Sequence, residues 1–432
     1  MSTSLLRRLA TATGIYSSAA LGLAGSLVVL RLLGPTDFGR YSIVLGVVQF
    51  VALLIELTSD EALVKFGFRY AAREDWGRFH RVVRVTFAFE IVTSLLSGGI
   101  IAAFAPFASD VFHRAPGLTV PLLLAALIPL LQSMESMGAQ LLILRGRYDV
   151  RSAFLVLGMG LRLAGLAAGA PHGVTAAVLG YLAAQVLTTT AISSVGLVAL
   201  RRFPAASPVP LGPDRRSFIA FVLQSAADTS LDSFRSWIAP LALGVVRDAR
   251  AVGLFRGAQA PQTGFSVLSS PVRLIMLTEQ TRDWEHGRPE VVVAGVRRYT
   301  LAATALMAVV LPPVEWAMPW IVRLVLGHKY VPAIDAARLV VGAAAIQLVL
   351  GWTKSFPVTI GRPWLRVVAH AVELVVLLPA IVIMGKEWGV TGAGGAVLAS
   401  SVAFAAAWGY LALRLRREHR TAVAAGADGY FA

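Results

Sequence analysis

The chain of 432 residues is 56% hydrophobic and only 15% charged. Soluble domains carry roughly 25% charged residues, so this composition excludes an ordinary soluble enzyme. The formal net charge of +15 would suit a nucleic-acid-binding protein, but Lys and Arg lie between long apolar runs instead of forming one basic face. We therefore exclude nucleic acid as a partner. Because the chain has no cysteine, disulfides, thiolate metal sites and a cysteine nucleophile are also excluded.

Apolar runs long enough to cross a membrane follow one another along the chain. A bilayer core about 30 Å thick needs ~20 apolar residues in a helix. Twelve runs meet this length and are predicted as helices, at residues 11–32, 40–62, 83–106, 118–143, 151–170, 174–199, 216–244, 252–276, 293–316, 333–353, 364–384 and 389–414. Arg7 and Arg8 precede the first run as in a signal peptide, but no small-residue cleavage site follows before Arg31, so we expect this segment to be retained. The predicted fold class is an all-α polytopic membrane protein with about twelve transmembrane helices.

The distribution of positive charge predicts the orientation of these helices. With the N-terminus inside, 27 of the 39 Lys and Arg residues fall in inside segments and 10 in outside segments. Lys and Arg accumulate in short cytoplasmic loops. We therefore expect a multi-pass protein of the cytoplasmic (inner) cell membrane with both termini in the cytoplasm.

An internal duplication divides the chain in half. Three pairs of segments match at offsets of 210 to 216 residues: 173–177 with 389–393, 146–151 with 361–366, and 33–41 with 243–255. Six helices per repeat is an even number, so the two repeats are parallel, an arrangement that some secondary transporters use with a substrate site between the halves. The predicted organisation is an N-terminal bundle at 1–203, a cytoplasmic linker at 204–216, a C-terminal bundle at 217–416 and a cytoplasmic tail at 417–432.

Charged residues within the predicted spans are candidates for substrate binding or ion coupling, because charge is costly in a membrane. Asp228, Asp232 and Arg235 lie on one face of the seventh span, where they either serve transport or neutralise one another for insertion. Arg162 lies near the middle of the fifth span. Its guanidinium either binds the phosphates of a lipid headgroup or pairs with an acid on another helix, such as Glu135.

Three single carboxylates within the spans, Glu90, Glu135 and Glu373, could carry a proton. His370 precedes Glu373 by three residues, and a hydrogen-bonded packing role is favoured over a proton relay. Asp60, near the inner interface, is expected to be solvated. A basic amphipathic segment between the second and third spans either lies at anionic headgroups or only sets the topology; its cations are Lys65, Arg69, Arg73, Arg78 and Arg81.

The segments Leu30–Tyr41 and Glu56–Tyr70, together with the turn at Leu243–Phe255 and the Gly-Val-Thr openings of spans six and twelve, resemble the polysaccharide-exporter flippases. These belong to the multidrug/oligosaccharidyl-lipid/polysaccharide exporter superfamily. The resemblance covers nearly the whole chain and implies two six-helix bundles arranged in a V, with a lipid-linked oligosaccharide as cargo. The second-half turn departs from the first because it is longer, with nine steps from Gly244 to Gly253 against five from Gly34 to Gly39.

These observations favour a flippase for a polyprenyl-pyrophosphate glycan that works by alternating access in cell-surface polysaccharide biosynthesis. We expect a monomer whose partners are membrane lipids, the lipid-linked saccharide and glycan-assembly enzymes. The alternatives are a cation-coupled multidrug antiporter and an integral-membrane glycan polymerase or ligase. No zinc, Walker or nucleophile motif occurs, so neither a cofactor nor enzymatic activity is expected.

Overall fold

The computed structural model describes residues 3–55, 59–112, 115–362 and 364–424. Its α-helices are α1 (Thr3–Ile55), α2 (Asp60–Ala72), α3 (Trp76–Phe104), α4 (Ala108–Val111), α5 (Thr119–Ala125), α6 (Ile128–Leu144), α7 (Tyr148–Gly169), α8 (Val174–Arg201), α9 (Asp214–Val246), α10 (Ala249–Glu285), α11 (Pro289–Ile321), α12 (Ile334–Val349), α13 (Phe356–Thr359) and α14 (Trp364–Ala424). Short 3-10 or π turns join several of them, and the described residues contain no strand.

Two of these helices, α1 and α14, each contain two of the predicted spans in succession. α1 has 53 residues and α14 has 61, which at ~1.5 Å per residue far exceeds one bilayer core. Each is interrupted by a glycine outside helical geometry, Gly34 (φ 71°) in α1 and Gly389 (φ 59°) in α14. In the described residues, eight helical segments are long and apolar enough to cross a membrane. With the two double helices and the more polar α9 and α10, the chain makes about twelve passes and is the all-α polytopic membrane protein that the sequence predicts.

The duplication is visible in the backbone at the matched glycines. Gly146 and Gly361, which precede the fifth and eleventh passes, both have φ 70°. Gly173 (φ 96°) and Gly389 (φ 59°) open the sixth and twelfth passes. Left-handed backbone strongly favours glycine. The two repeats therefore begin the same helices with the same kind of turn, which confirms the predicted repeat.

Backbone contacts divide the chain into two compact units, Met1–Gly253 and Leu254–Ala432. In the first unit, α8 packs on α6 and α7 through close glycine contacts. A Cβ on Gly165 would lie 2.1 Å from the carbonyl oxygen of Gly180, and one on Gly138 would lie 2.9 Å from that of Ile192. These helices thus approach closely and form a tight bundle.

The N-terminal part of α9 belongs to the core of the first unit. Phe218 and Val222 of α9, with Leu211 just before it, are buried with Phe66 of α2 and with residues of α3 and α6. The rings of Phe66 and Phe218 lie 5.2 Å apart, edge to face. The unit therefore extends past the predicted linker at 204–216, because the apolar face of α2 needs α9 as a cover. The sequence-based boundary between the two repeats, at 204–216, stays a prediction.

The first unit also brings together two glycines that the repeat aligns with each other. A Cβ on Gly39 would lie 1.6 Å from the carbonyl oxygen of Ala249, and one on Gly253 would lie 1.8 Å from that of Pro35. No side chain fits in either place. The start of the second pass and the start of α10 are therefore in direct backbone contact.

The second unit has its own core, built from α11, the segment that joins α12 to α14, and the two passes of α14. Trp352, Phe356, Phe404 and Trp408 are buried together. The rings of Trp352 and Trp408 lie 5.4 Å apart, edge to face. This aromatic cluster packs the start of the eleventh pass against the later part of the twelfth pass.

Candidate functional site

A buried polar cluster joins three helices in the first unit. Arg162 of α7 donates a hydrogen bond and forms an ion pair with Glu135 of α6, and their side chains are 17% and 15% exposed. Gln185 of α8 donates its Nε2 hydrogen to the same Glu135 oxygen at 2.6 Å and lies 3.2 Å from Thr189 Oγ1. Of the two alternatives for Arg162, the structure contains the ion pair with Glu135.

A glycine on the same helix lets Thr188 of α8 approach α7 closely beside the Arg162 guanidinium. A Cβ on Gly158 would lie 2.7 Å from Thr188 Cγ2 and 3.7 Å from the guanidinium. The Arg162 Nε and the Gln185 Oε1 atoms are buried without a hydrogen-bond partner in the described part of the chain. Buried polar atoms in proteins are nearly always paired. The cluster therefore has one donor and one acceptor left for a bound group or water.

The second unit contains a polar cluster with a different charge composition. Glu373 is 1% exposed and lies within the first pass of α14. It contacts His370 Nδ1 at 3.0 Å and accepts a hydrogen bond from Gln347 of α12 at 3.3 Å. Gln347 also donates to Ser401 of the second α14 pass at 3.3 Å. His370 stacks on Phe404 with ring centres 5.0 Å apart, so both the predicted contact with Glu373 and the favoured packing role are present.

The two clusters occupy corresponding helices of the two repeats. Each involves the fourth, fifth and sixth passes, and Gln185 and Ser401 are related by the repeat offset of 216. In the first unit the fifth pass supplies a permanent cation, Arg162, whereas in the second it supplies the titratable pair of His370 and Glu373. The repeats have thus kept the position of a buried polar cluster and changed its chemistry.

Glu90 of α3 forms a third polar contact, with Ser59, which directly precedes α2. It is 7% exposed and accepts a hydrogen bond from the Ser59 hydroxyl at 2.6 Å. Asp60, the first residue of α2, accepts a hydrogen bond from Ser136 of α6 and has its Oδ1 atom buried. Asp60 is therefore a partly buried hydrogen-bonding residue, and the expectation that it is solvated is wrong.

The basic amphipathic segment packs its apolar face on protein. Ala62, Leu63, Phe66 and Tyr70 of α2 are fully buried in the first unit. The cations lie around this face or beyond it: Lys65 stacks over Phe221 at 3.9 Å, Arg69 over Phe66 at 4.7 Å, Arg78 pairs with Asp75 at 3.2 Å, and Arg73 and Arg81 are exposed. Burial, together with the hydrogen bond from the Tyr70 hydroxyl to Asp214 at 2.8 Å, raises the pKa of Tyr70 to about 12.

Asp228, Asp232 and Arg235 lie within α9, but their side chains are outside the described residues, so their role stays a prediction. Sequence reasoning did not identify Gln185 and Gln347 as members of the clusters. The candidates were chosen as charged residues within the spans, and glutamine carries no charge. The repeat offset is the signal that could have found such a residue: Gln185 and the polar residue Ser401 are separated by the offset of 216.

Comparisons with known proteins support the architecture. The family model described as "Polysaccharide biosynthesis protein" matches residues 28–335. No functionally curated protein matches the sequence significantly. Solved structures share the fold at low identity. The lipid II flippase MurJ, in an inward closed conformation, is 9% identical, with 92% of this chain and 86% of that chain covered and a TM-score of 0.68.

Two further solved structures belong to the MOP superfamily. An inward-facing multidrug resistance MATE family transporter is 16% identical, with 96% of this chain and 95% of that chain covered and a TM-score of 0.62. A transporter from Pyrococcus furiosus Vc1 is 19% identical, with 95% and 92% covered and a TM-score of 0.50. These likenesses show that the chain has the MOP transporter fold. Because the family model matches well over half of its length, the chain belongs to the polysaccharide biosynthesis protein family.

Proposed function

We propose that this protein is a flippase that moves a lipid-linked oligosaccharide, carried on polyprenyl pyrophosphate, across the cytoplasmic membrane by alternating access. The observation that carries the proposal is the family match over residues 28–335 on a MOP transporter fold. The solved flippase with this fold acts on lipid II, which is itself a lipid-linked saccharide. The parallel repeat supports transport, since transporters place substrate sites between such halves.

Arg162 is proposed as a contact for the cargo's pyrophosphate. Its Nε atom is buried and has no partner in the described residues, so one donor remains while Glu135 holds the other side of the guanidinium. Guanidinium groups bind phosphate oxygens with directed, charge-assisted hydrogen bonds. The α9 face of Asp228, Asp232 and Arg235 is proposed as a second contact surface for the cargo.

Ion coupling is assigned to the cluster of Glu373 and His370, with Glu90 as a further candidate. Glu373 is almost fully buried, contacts His370 and accepts a hydrogen bond from the side-chain amide of Gln347. Such a group can exchange a proton with little rearrangement. Glu135 is less suited to this role, because it is held in an ion pair with the permanently charged guanidinium of Arg162.

The charge distribution supports a cytoplasmic location for both termini. We further propose that the protein is a monomer that acts beside glycan-assembly enzymes and is a transporter without enzymatic activity. A cysteine placed near either terminus should be labelled by a membrane-impermeant thiol reagent only after the cells are opened. Labelling in intact cells would refute this orientation.

The flippase proposal is tested by measuring the leaflet in which the lipid-linked glycan accumulates. In cells that lack the gene, the glycan should remain on the inner face and be inaccessible to a membrane-impermeant lectin or glycosidase. Complementation with the wild-type gene should restore access. Equal outer-face exposure without the gene would refute the proposal.

The MATE-like fold keeps a cation-coupled drug antiporter as the second candidate. It is separated from the flippase by dye efflux from the same pair of strains. Gradient-dependent efflux that follows the gene, combined with unchanged glycan exposure, would favour the antiporter. The flippase proposal instead expects unchanged efflux.

A further inference from the structure

A cleft in the first unit lies between α3, α6 and α8 and has no role in the polar clusters. It has a volume of about 300 Å³. Val83 and Phe87 of α3 form one wall, Met134 and Leu141 of α6 form the floor, and Leu197 of α8 forms the other wall. A cleft of this size lies at the lower end of the range for small-molecule sites, which suits one segment of a lipid chain.

The floor of the cleft offers no unpaired hydrogen-bonding group. α6 and α8 touch there through glycines, since a Cβ on Gly196 would lie 2.8 Å from the Gly138 Cα atom. The Ser193 hydroxyl, the polar group of this floor, donates to the carbonyl oxygen of Met134 at 2.9 Å. Water is therefore poorly held in the cleft, whereas a hydrocarbon chain would fill it favourably.

The mouth of the cleft is basic. His80 and Arg84 line it; His80 lies in the basic segment that the charge pattern assigns to the cytoplasmic side, and Arg84 directly follows that segment. Arg84 is exposed and forms no ion pair with any carboxylate in the part of the chain that the structure describes. Arg201, which follows the lining residue Leu200 in the sequence, is exposed and adds positive charge. Basic pockets between membrane helices on this side are typical binding sites for anionic headgroups.

The connecting segment after α8 closes one end of the cleft and is held in place. Ala206 and Pro208 contribute to the lining. The amide of Val209 donates to the carbonyl oxygen of Gly77 at 3.1 Å, and a Cβ on Gly77 would lie 2.8 Å from Val209 Cγ2. His80 Nε2 lies 3.0 Å from the carbonyl oxygen of Pro204. The cleft is therefore preformed.

From this apolar cleft with a cationic mouth, we propose that the protein binds one anionic phospholipid of the cytoplasmic leaflet. One acyl chain lies along Met134, Leu141 and Leu197, and the phosphate lies at Arg84. Phe87 and Leu197, which are 43% and 52% exposed, give the chain an open path from the bilayer. The site is independent of the cargo that the protein transports.

The test is native mass spectrometry of the full-length protein in detergent, with phosphatidylglycerol as the probe and phosphatidylcholine as the zwitterionic control. We expect one saturable phosphatidylglycerol site. Arg84→Gln should weaken it by about fivefold, since a basic residue near anionic lipid contributes ~1 kcal/mol. Arg81→Gln, outside the lining, is the matched control for charge and should retain more of the affinity.

Filling the cleft tests the site independently of charge. Leu197→Trp should abolish the saturable binding, whereas Leu187→Trp, at an exposed position on the same helix outside the lining, should leave it intact. Melting curves of both variants check that they fold; if Leu197→Trp does not, the comparison of Arg84→Gln with Arg81→Gln decides. Equal binding of phosphatidylcholine, or unchanged binding in Arg84→Gln, would overturn the proposal. Stronger binding of undecaprenyl phosphate at this site would also overturn it, in favour of a polyprenyl lipid.

Discussion

Removing the charge of Glu135 should destabilise the first unit because Arg162 then lacks its counter-charge. Glu135→Leu replaces the carboxylate by an apolar side chain of similar size, and Arg162 stays buried, with 17% of its side chain exposed. Breaking a buried ion pair costs ~3–5 kcal/mol, and an uncompensated arginine near the middle of a span costs ~2.5–3.5 kcal/mol on insertion scales. Both routes give a loss of about 3 kcal/mol in the free energy of unfolding.

A double-mutant cycle in mixed micelles measures this interaction. The variants are Glu135→Leu, Arg162→Leu and the two combined, and the free energy of unfolding is followed by tryptophan fluorescence as dodecyl sulfate is added. Each single variant should be destabilised. The double variant should recover most of the loss, since replacing a buried ion pair by apolar residues is often neutral or stabilising. A coupling energy below ~0.5 kcal/mol, the usual error of additivity, would refute the reasoning.

The double leucine variant also separates stability from transport. It is expected to fold but to leave the lipid-linked glycan on the inner face, because the guanidinium proposed to contact pyrophosphate is absent. If it restores glycan exposure as well as the wild type does, the pair only holds α6 and α7 together, and the assignment of Arg162 to the cargo is wrong.

Three further outcomes are expected. Gly39→Ala should lower the melting temperature and abolish transport, because a Cβ there would lie 1.6 Å from a carbonyl oxygen. The stability of the wild type should fall as pH rises from about 10 to about 12, because the raised pKa of Tyr70 favours its neutral form in the folded state, and this fall should be smaller in Tyr70→Phe. Glu373→Gln should fold but lose the dependence of glycan exposure on the proton or sodium gradient.

Each of these has an outcome that contradicts it. Gly160→Ala is the glycine control, because nothing lies within 4 Å of its added Cβ; equal melting temperatures for it and Gly39→Ala would contradict the close contact. An identical loss of stability above pH 10 in Tyr70→Phe would assign the titration to other groups. Gradient-dependent transport in Glu373→Gln would move the coupling site elsewhere, with Glu90→Gln as the next variant.

Local features were predictable from the sequence, because they depend on short segments. Apolar runs longer than a bilayer core gave the passes, and the repeated glycines marked the turns that the structure builds with positive φ at Gly146 and Gly361. The pairing of Arg162 with Glu135 was open to prediction as one of two alternatives, since a charged residue within a span requires a partner or a cavity.

Features that depend on packing between distant segments were not predictable. The periodicity of α2 indicates an apolar face, but periodicity is the same whether lipid or protein covers that face. Phe218, more than 140 residues away from Phe66 and Tyr70, provides the cover. The burial of Asp60 has the same origin, because Ser136 of α6 reaches it only in the folded bundle.

The cover that α9 provides for α2 has a consequence for synthesis at the ribosome. Helices enter the membrane in order from the N-terminus, so Leu63, Phe66 and Tyr70 leave the translocon well before Phe218 is made. Until the seventh pass emerges, the apolar face of α2 has only part of its final surroundings and presents a surface that membrane chaperones or proteases can recognise. A gene fragment that ends before α9 should therefore yield a short-lived product, even though it encodes all six helices of the first repeat.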